Sequence, residues 1–223
     1  MALALNVGKK RVRRVMRLYG IKPYKRKARW RKRRDERRPE MLYLNLIKGG
    51  QPIVPNLVWV ADFTYIKYRD IYLYLATFMD LYTREIVGWS LSLKHTQYLV
   101  INAFIDGFKN TGVLPKLVHS DQGAEYCSRD YLNLVKSLGV TISMSKKASP
   151  WENGYQESFF NNFKTDLGLE FDRFETLGEL IEAIHQTINY YNQRRIHTTL
   201  KMSPAKFKLR YYQKLQVCLE KPV

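Results

Sequence analysis

The chain has 223 residues, of which 45% are hydrophobic and 13% aromatic, and its formal charge at pH 7 is +18. This apolar content is enough for a folded core, so the composition excludes a disordered chain, and the length accommodates one domain of about 150 residues with appendages. The two cysteines lie far apart without the spacing of a zinc site, and no secretory leader or membrane span is evident. We therefore expect an intracellular protein.

The positive charge is concentrated at one end of the chain. Residues 1–40 contain 17 Lys and Arg but only three acidic residues, a net charge of +14, so the remainder carries only +4. A basic arm on a nearly balanced globule indicates a polyanionic partner, most often nucleic acid. An anionic membrane or an acidic protein is the alternative.

The basic arm begins with a pattern typical of a short amphipathic helix. Apolar residues recur at helical spacing between residues 8 and 20, with basic residues on the other face. Such a helix could lie against DNA like the second helix of a helix-turn-helix, although its partner helix is missing. We predict a partial helix-turn-helix-like DNA-binding segment over 1–24 and a basic linker over 25–54. The expected DNA contacts of this arm are Lys9, Lys10, Arg13, Arg14 and Arg17.

An α/β core follows, which we place at residues 55–170, with a C-terminal helical extension at 171–223. β-branched and aromatic runs predict strands, and apolar periodicity near 3.6 predicts helices. The predicted strands are 57–68, 71–80, 84–93, 116–119 and 140–144, and the predicted helices are 96–109, 125–138 and 177–192. The order β-β-β-α-β-α-β is followed by a further helix that carries Glu157.

Three acidic residues stand where ordinary packing disfavours them. Asp62 lies inside an apolar strand, Asp121 ends another strand, and Glu157 lies in a third motif, with 35 residues between it and Asp121. A carboxylate in such a place is costly unless a positive partner compensates its charge. Hard oxygen ligands suit Mg²⁺ or Mn²⁺, so these three residues are the candidate active site.

Four motifs, in order and correctly spaced, carry a resemblance to a known family. They cover 59–66 around Asp62, 119–123 around Asp121, 152–160 around Glu157, and the closing motif 191–200 with Ser203 and Pro204. Over roughly residues 6 to 210 the chain resembles the catalytic subunit of IS3-type insertion-sequence transposases. These enzymes are members of the retroviral-integrase-like (DDE) superfamily.

The resemblance implies an RNase H-like fold, with a five-stranded mixed sheet flanked by helices. It also implies that Asp62, Asp121 and Glu157 form an Asp-Asp-Glu triad that binds two divalent ions, Mg²⁺ or Mn²⁺. The implied reaction is cleavage of phosphodiester bonds at element ends followed by strand transfer. The alternatives are an RNase H-like nuclease without strand transfer and a catalytically silent DNA-binding remnant.

Further DNA contacts and partners are expected on the same basis. Lys164 lies two helical turns after Glu157 on about the same face, and Arg194 and Arg195 are candidate phosphate contacts; a solvated lysine and helix-terminal charges are the alternatives. We expect double-stranded DNA as partner, a homo-oligomer on that DNA and an upstream-frame DNA-binding protein, but no membrane. The expected location is the bacterial cytoplasm, at the nucleoid.

Some neighbouring residues have less specific interpretations. Glu125 is interpreted as a spare ligand or as a surface acid early in a helix. His119 is expected to be structural, Trp151 to cap the core or stack on a base, and Asn153 to cap the Glu157 helix, while His197 has only its motif membership.

Overall fold

The computed structural model describes residues 7–21, 43–48, 50–145, 154–168 and 170–219. Its strands are β1 (Val58–Tyr68), β2 (Ile71–Asp80), β3 (Ile86–Ser92), β4 (Leu117–Ser120) and β5 (Thr141–Met144). Its helices are α1 (Lys9–Leu18), α2 (Gln97–Thr111), α3 (Arg129–Ser137), α4 (Gly154–Leu167), α5 (Leu177–Gln193) and α6 (Pro204–Leu219), with a 3₁₀ turn at Phe171–Arg173.

The five strands form one mixed sheet in the order β3-β2-β1-β4-β5. Strands β1, β2 and β3 pair antiparallel, as short connections require, whereas β4 and β5 run parallel to β1 after helical crossovers. The β1–β2 turn is tight because Arg69 adopts a left-handed conformation with φ of 48°. The predicted five-stranded mixed sheet flanked by helices is confirmed.

The side chains of β1 alternate between two helical layers. Val58, Val60 and Ile66 face the core shared with α4 and α5. Trp59 and Ala61 face the core shared with α2 and α3. Each large apolar side chain that is fully buried contributes about 1.5–3 kcal/mol. The sheet is therefore covered on both faces, and the even-numbered residues of β1 face the layer that contains α4.

Helix α2 lies directly against the backbone of β3. A Cβ added at Gly88 would come within 2.3 Å of both the carbonyl oxygen of Ala103 and the amide nitrogen of Gly107. No relaxation of a side chain can relieve such a backbone contact, so Gly88→Ala would push α2 away from the sheet.

One helix and one strand begin later than predicted, for two different local reasons. The predicted helix 125–138 begins only at Arg129, because the Ser128 side chain accepts the amide N–H of Tyr131 at its N-terminus. The third strand, predicted from residue 84, begins at Ile86 because Arg84 adopts a positive φ of 64° in the preceding turn.

The described end of the predicted linker packs against the sheet. The amide of Leu46 donates to Ser143 Oγ at 2.9 Å, and the amide of Met144 donates to the carbonyl of Leu44 at 3.3 Å. Residues 22–42 of the basic arm lie outside the described residues. Of the helices in the part of the chain that the structure describes, none is long and apolar enough to cross a membrane.

Candidate active site

Two of the predicted acids occupy equivalent places on neighbouring strands. Strands β1 and β4 run parallel with Val60 opposite His119. Two residues further along each chain come Asp62, inside β1, and Asp121, just past the end of β4. Because side chains alternate along a strand, Asp62 projects to the same face as Val60, which is the face covered by α4.

The carboxyl group of Asp62 is partly buried and electrostatically uncompensated. Burial, then the negative charge of Asp121 and, more weakly, that of Glu157 raise the pKa of Asp62 from 3.8 to about 7. The amide N–H of Phe63, which donates to Asp62 Oδ1 at 2.8 Å, offsets only part of this increase. The carboxyl group of Asp62 is therefore affected by the charges of both other predicted acids, Asp121 most strongly.

Asp121 is held by the tight turn that follows β4. Its Oδ1 accepts the amide N–H of Gly123 at 2.9 Å. Burial raises the pKa of Asp121, and the nearby carboxylate of Glu125 adds to the increase. A Cβ at Gly123 would lie 3.0 Å from Asp121 Oδ1 and 3.3 Å from Glu125 Oε2, so any larger residue would require these carboxylates to move by a few tenths of an ångström.

Glu157 is exposed on α4, and its helix is fixed by the residue before it. Gln156 is fully buried and donates through Nε2 to the carbonyls of Val60, at 2.6 Å, and Thr77, at 3.3 Å. Its Oε1 accepts the Thr77 hydroxyl at 3.0 Å. Since Thr77 is the cross-strand partner of Asp62, Gln156 fixes α4 at the level of Asp62.

Sequence analysis missed Gln156, although a signal was present. The buried residues of α4 are Gln156, Phe159, Phe160, Phe163 and Leu167. A polar residue on this otherwise apolar stripe must find hydrogen-bond partners in the core, which marks it as a specific contact rather than a solvated side chain.

The carboxylates suit a hard cation, but they do not form a ready-made metal cluster. Within the described ranges, no group of three or more His, Cys, Asp or Glu side chains is placed to hold a metal ion. Asp62 and Asp121 are nevertheless oxygen donors on adjacent strands, and a positive charge between them would relieve their mutual repulsion. The donor chemistry therefore fits Mg²⁺ or Mn²⁺.

Glu125 does not lie on the helix surface, so that interpretation is wrong. It is 7% exposed, precedes α3, and its Oε1 lies 3.2 Å from His95 Nδ1. The His95 ring packs against Phe63 and Tyr74, with ring centres 4.5 and 5.0 Å apart. The role of Glu125 as a spare ligand beside Asp121 stays a prediction.

His119 is buried inside the sheet. Its Nδ1 lies 2.8 Å from the hydroxyl of Ser143, the residue opposite it on β5. This placement agrees with the structural role expected for it. Trp151 and Asn153 lie outside the described residues.

The predicted DNA contacts are found in different environments. Lys164 Nζ lies 5.1 Å from the centre of the Tyr65 ring on β1. Arg194 is exposed just after α5, whereas Arg195 pairs with Asp166 and donates to Asn162 Oδ1 at 3.0 Å. The predicted contacts on α1, all exposed, are Lys9, Lys10, Arg13, Arg14 and Arg17. Their contacts with DNA stay predictions.

Comparisons with known proteins agree with this geometry. Family models described as "Integrase core domain" match residues 54–150 and 138–204. The transposase for insertion sequence element IS904 of Lactococcus lactis is 36% identical over 201 residues, which is 88% of this chain and 78% of that protein. Transposase InsF for insertion sequence IS3A of Escherichia coli is 35% identical over 113 residues, 50% of this chain and 39% of InsF.

The fold has a solved counterpart. The catalytic core domain of HTLV-2 integrase, solved in complex with magnesium, superposes with a TM-score of 0.59. The match covers 70% of this chain and 98% of that one, at 20% sequence identity. At this identity the likeness establishes a shared RNase H-like fold.

Proposed function

Because the chain belongs to the transposases of bacterial insertion sequences, which include the IS3 type, we propose that it cleaves and joins DNA at element ends through Asp62, Asp121 and Glu157. The observation that carries the proposal is the side-by-side placement of Asp62 and Asp121, with the pKa of Asp62 raised to about 7. Two partly buried carboxylates that repel each other on adjacent strands are suited to bind a cation.

The cofactor we propose is a pair of Mg²⁺ or Mn²⁺ ions. Two such ions, about 4 Å apart, activate the attacking oxygen and stabilise the departing one during phosphodiester transfer. Asp62, Asp121 and Glu157 would together hold these ions, with Asp62 as the central ligand. The magnesium complex of the structurally similar HTLV-2 integrase core supports this choice of metal.

The remaining residues of the site hold these ligands and the substrate. Gln156 fixes the start of α4, and we infer that it would present Glu157, the next residue, at the level of Asp62. Lys164, beside Tyr65, would contact the DNA backbone on the same side of α4. The exposed bases of α1, together with Arg194 and Arg195, would add phosphate contacts, which position DNA without reading its sequence.

We propose double-stranded DNA as the partner, both as element end and as target. A homo-oligomer on that DNA and an upstream-frame protein supplying the rest of the DNA-binding region complete the assembly. The relatives are bacterial, which supports action in the cytoplasm at the nucleoid.

The test is a strand-transfer assay with labelled duplexes carrying the inverted repeats that flank the gene, with the upstream-frame protein present. We expect both a cleaved product and a joined product, which require Mg²⁺ or Mn²⁺ and are lost after chelation. Cleavage without joining would instead indicate a nuclease. Binding without either product, in a folded protein with metal present, would indicate a silent DNA-binding remnant.

A further inference from the structure

A pocket lies beside α4, away from the candidate active site. It has a volume of about 230 Å³, and Tyr155, Ser158 and Asn162 of α4 contribute to its wall. At 100° per residue these positions share one face of the helix, whereas Glu157 and Lys164 share another. The helix therefore separates the pocket from the carboxylates.

The pocket contains a buried arginine whose charge no acidic side chain among the described residues neutralises. Arg84 is 8% exposed, its guanidinium lies 4.0 Å from the centre of the Tyr155 ring, and its Nη2 donates to Gln51 Oε1 at 3.2 Å. Its Nη1 is buried and has no hydrogen-bond partner among the described residues. No acidic side chain is found among the described residues that line the pocket. A buried cation of this kind is costly until an anion reaches it.

Other donors converge on the same space. Arg195 and His197 line the pocket together with the hydroxyl groups of Ser158, Thr198 and Thr199. The amide of Thr199 donates to His197 Nδ1 at 3.2 Å, which leaves Nε2 as the donor of the neutral ring. The lining is thus rich in the guanidinium, imidazole and hydroxyl groups that bind phosphate oxygens.

We propose that this pocket binds a backbone phosphate of the DNA strand that enters the active site, at a phosphate distinct from the reacting one. The inference rests on the proposed function, since it is the DNA substrate that brings the phosphate. A helix with its side chains is about 10–12 Å across and DNA rises 3.4 Å per nucleotide, so the bound phosphate lies roughly three nucleotides from the reacting one. The strand would then straddle α4.

The test introduces repulsion without disturbing the core. Thr198 is exposed, so Thr198→Asp places a carboxylate at the pocket while the fold is retained; Thr141→Asp, exposed at the start of β5, is the matched control. Arg84→Lys provides a second variant that keeps the charge but shortens the reach. DNA binding is measured by fluorescence anisotropy over a salt series, in full-length protein carrying Asp62→Asn to prevent turnover.

We expect Thr198→Asp to weaken binding at least tenfold and to reduce the magnitude of the negative slope of log K against log salt by about 0.9, the value for one phosphate contact. Thr141→Asp should change neither quantity. Equal effects of the two aspartates, or an unchanged slope in Thr198→Asp, would overturn the proposal.

A methylphosphonate scan locates the contact. Neutralising phosphates one at a time should reveal one position at which loss of the phosphate charge weakens DNA binding by the parent protein but not by Thr198→Asp. At that position the binding of Arg84→Lys should weaken less than the binding of the parent. If inorganic phosphate raises the melting temperature through this pocket but no such DNA position exists, the ligand is free phosphate and the DNA assignment is wrong. Because these readouts need no turnover, absence of strand transfer would overturn the proposed function while leaving this result intact.

Discussion

Helix α4 lies between a group of negatively charged side chains and a group of positively charged ones. On one side are the carboxylates of Asp62 and Asp121, and on the other is the Arg84 guanidinium, with Arg195 and its partner Asp166 nearby. Each side holds buried or partly buried charge that the described residues do not fully compensate, which costs stability in the isolated protein. The two sides differ in the partner they need, a cation for the acids and an anion for the arginine.

The two sides also differ in how they are built. The carboxylates stand on adjacent strands of a sheet covered on both faces, whereas the pocket is formed by the β2–β3 turn, α4 and the segment after α5. Metal ligation tolerates errors of only a few tenths of an ångström, but phosphate can be bound by adaptable donors. We infer that the rigid side performs the chemistry and the other positions the strand.

The largest expected effect comes from the acids themselves. Asp62→Asn, Asp121→Asn or Glu157→Gln should each lower cleavage and strand transfer on the order of 10³-fold, because each loses part of the charge that holds the metal. Asp70→Asn, in the exposed β1–β2 turn, is the control and should retain activity. Normal activity in any folded triad variant would remove that residue from the site.

The pKa of Asp62 makes the stability of the metal-free protein depend on pH. With the pKa raised from 3.8 to about 7, the folded state binds more protons than the unfolded state between these values. The free energy of unfolding is therefore highest below pH 3.8 as far as Asp62 is concerned, and falls as the pH rises through about 7, by on the order of 4 kcal/mol.

Urea unfolding in chelator at pH 5 and pH 8 measures this dependence. Asp62→Asn should reduce the decrease in the free energy of unfolding between pH 5 and pH 8. Mg²⁺ at pH 8 should restore stability to the parent protein, and less to the variant. Identical pH dependence in parent and variant would contradict an uncompensated Asp62.

A smaller effect is expected at Gln156, which couples the sheet to α4. Gln156→Met keeps the shape but loses the hydrogen bonds to Val60 and Thr77. Activity at saturating metal should fall about 10-fold to 100-fold, and the Mn²⁺ concentration for half-maximal binding should rise, because Glu157 is no longer fixed. Gln186→Met, exposed on α5, is the control.

Electron paramagnetic resonance of Mn²⁺ separates positioning from folding in this variant. A lower melting temperature with unchanged Mn²⁺ affinity would mean that Gln156 is structural only.

The smallest effect is expected at Glu125. Glu125→Gln keeps a partner for His95 and reduces the negative charge beside Asp121, so we expect a loss of activity of less than about tenfold. A loss as large as the one expected for Asp62→Asn would instead make Glu125 a ligand. Steady-state rates at several Mg²⁺ concentrations distinguish the two outcomes.

Short-range patterns predicted the strands well and tertiary contacts poorly. Strand β2 has the predicted bounds, and β1 differs by one residue, because alternation and the Arg69 turn are local signals. The start of α3 was missed because the Ser128 cap ended a turn that resembled helix in composition. The positions of Asp62 and Asp121 could be predicted because each interrupts an apolar run.

The contacts of Gln156 and Arg84 could not be predicted in the same way. The partners of Gln156 lie 79 and 96 residues away in the chain, and Arg84 meets Gln51 across 33 residues. A single sequence shows that a polar residue breaks an apolar stripe, but not which carbonyl or ring it meets after folding. Gln156 fixes α4 beside the carboxylates and Arg84 lies in the pocket, so the two sides of α4 each depend on a contact that the sequence did not predict.

Anomalous scattering from crystals of the protein grown with Mn²⁺ tests the central claim most directly. The account predicts an anomalous peak within coordination distance of the carboxylate oxygens of both Asp62 and Asp121, which disappears in crystals of Asp62→Asn. A protein that is active with Mn²⁺ but shows its peak elsewhere, or keeps the same peak in Asp62→Asn, would contradict the assignment of these carboxylates as the metal-binding centre.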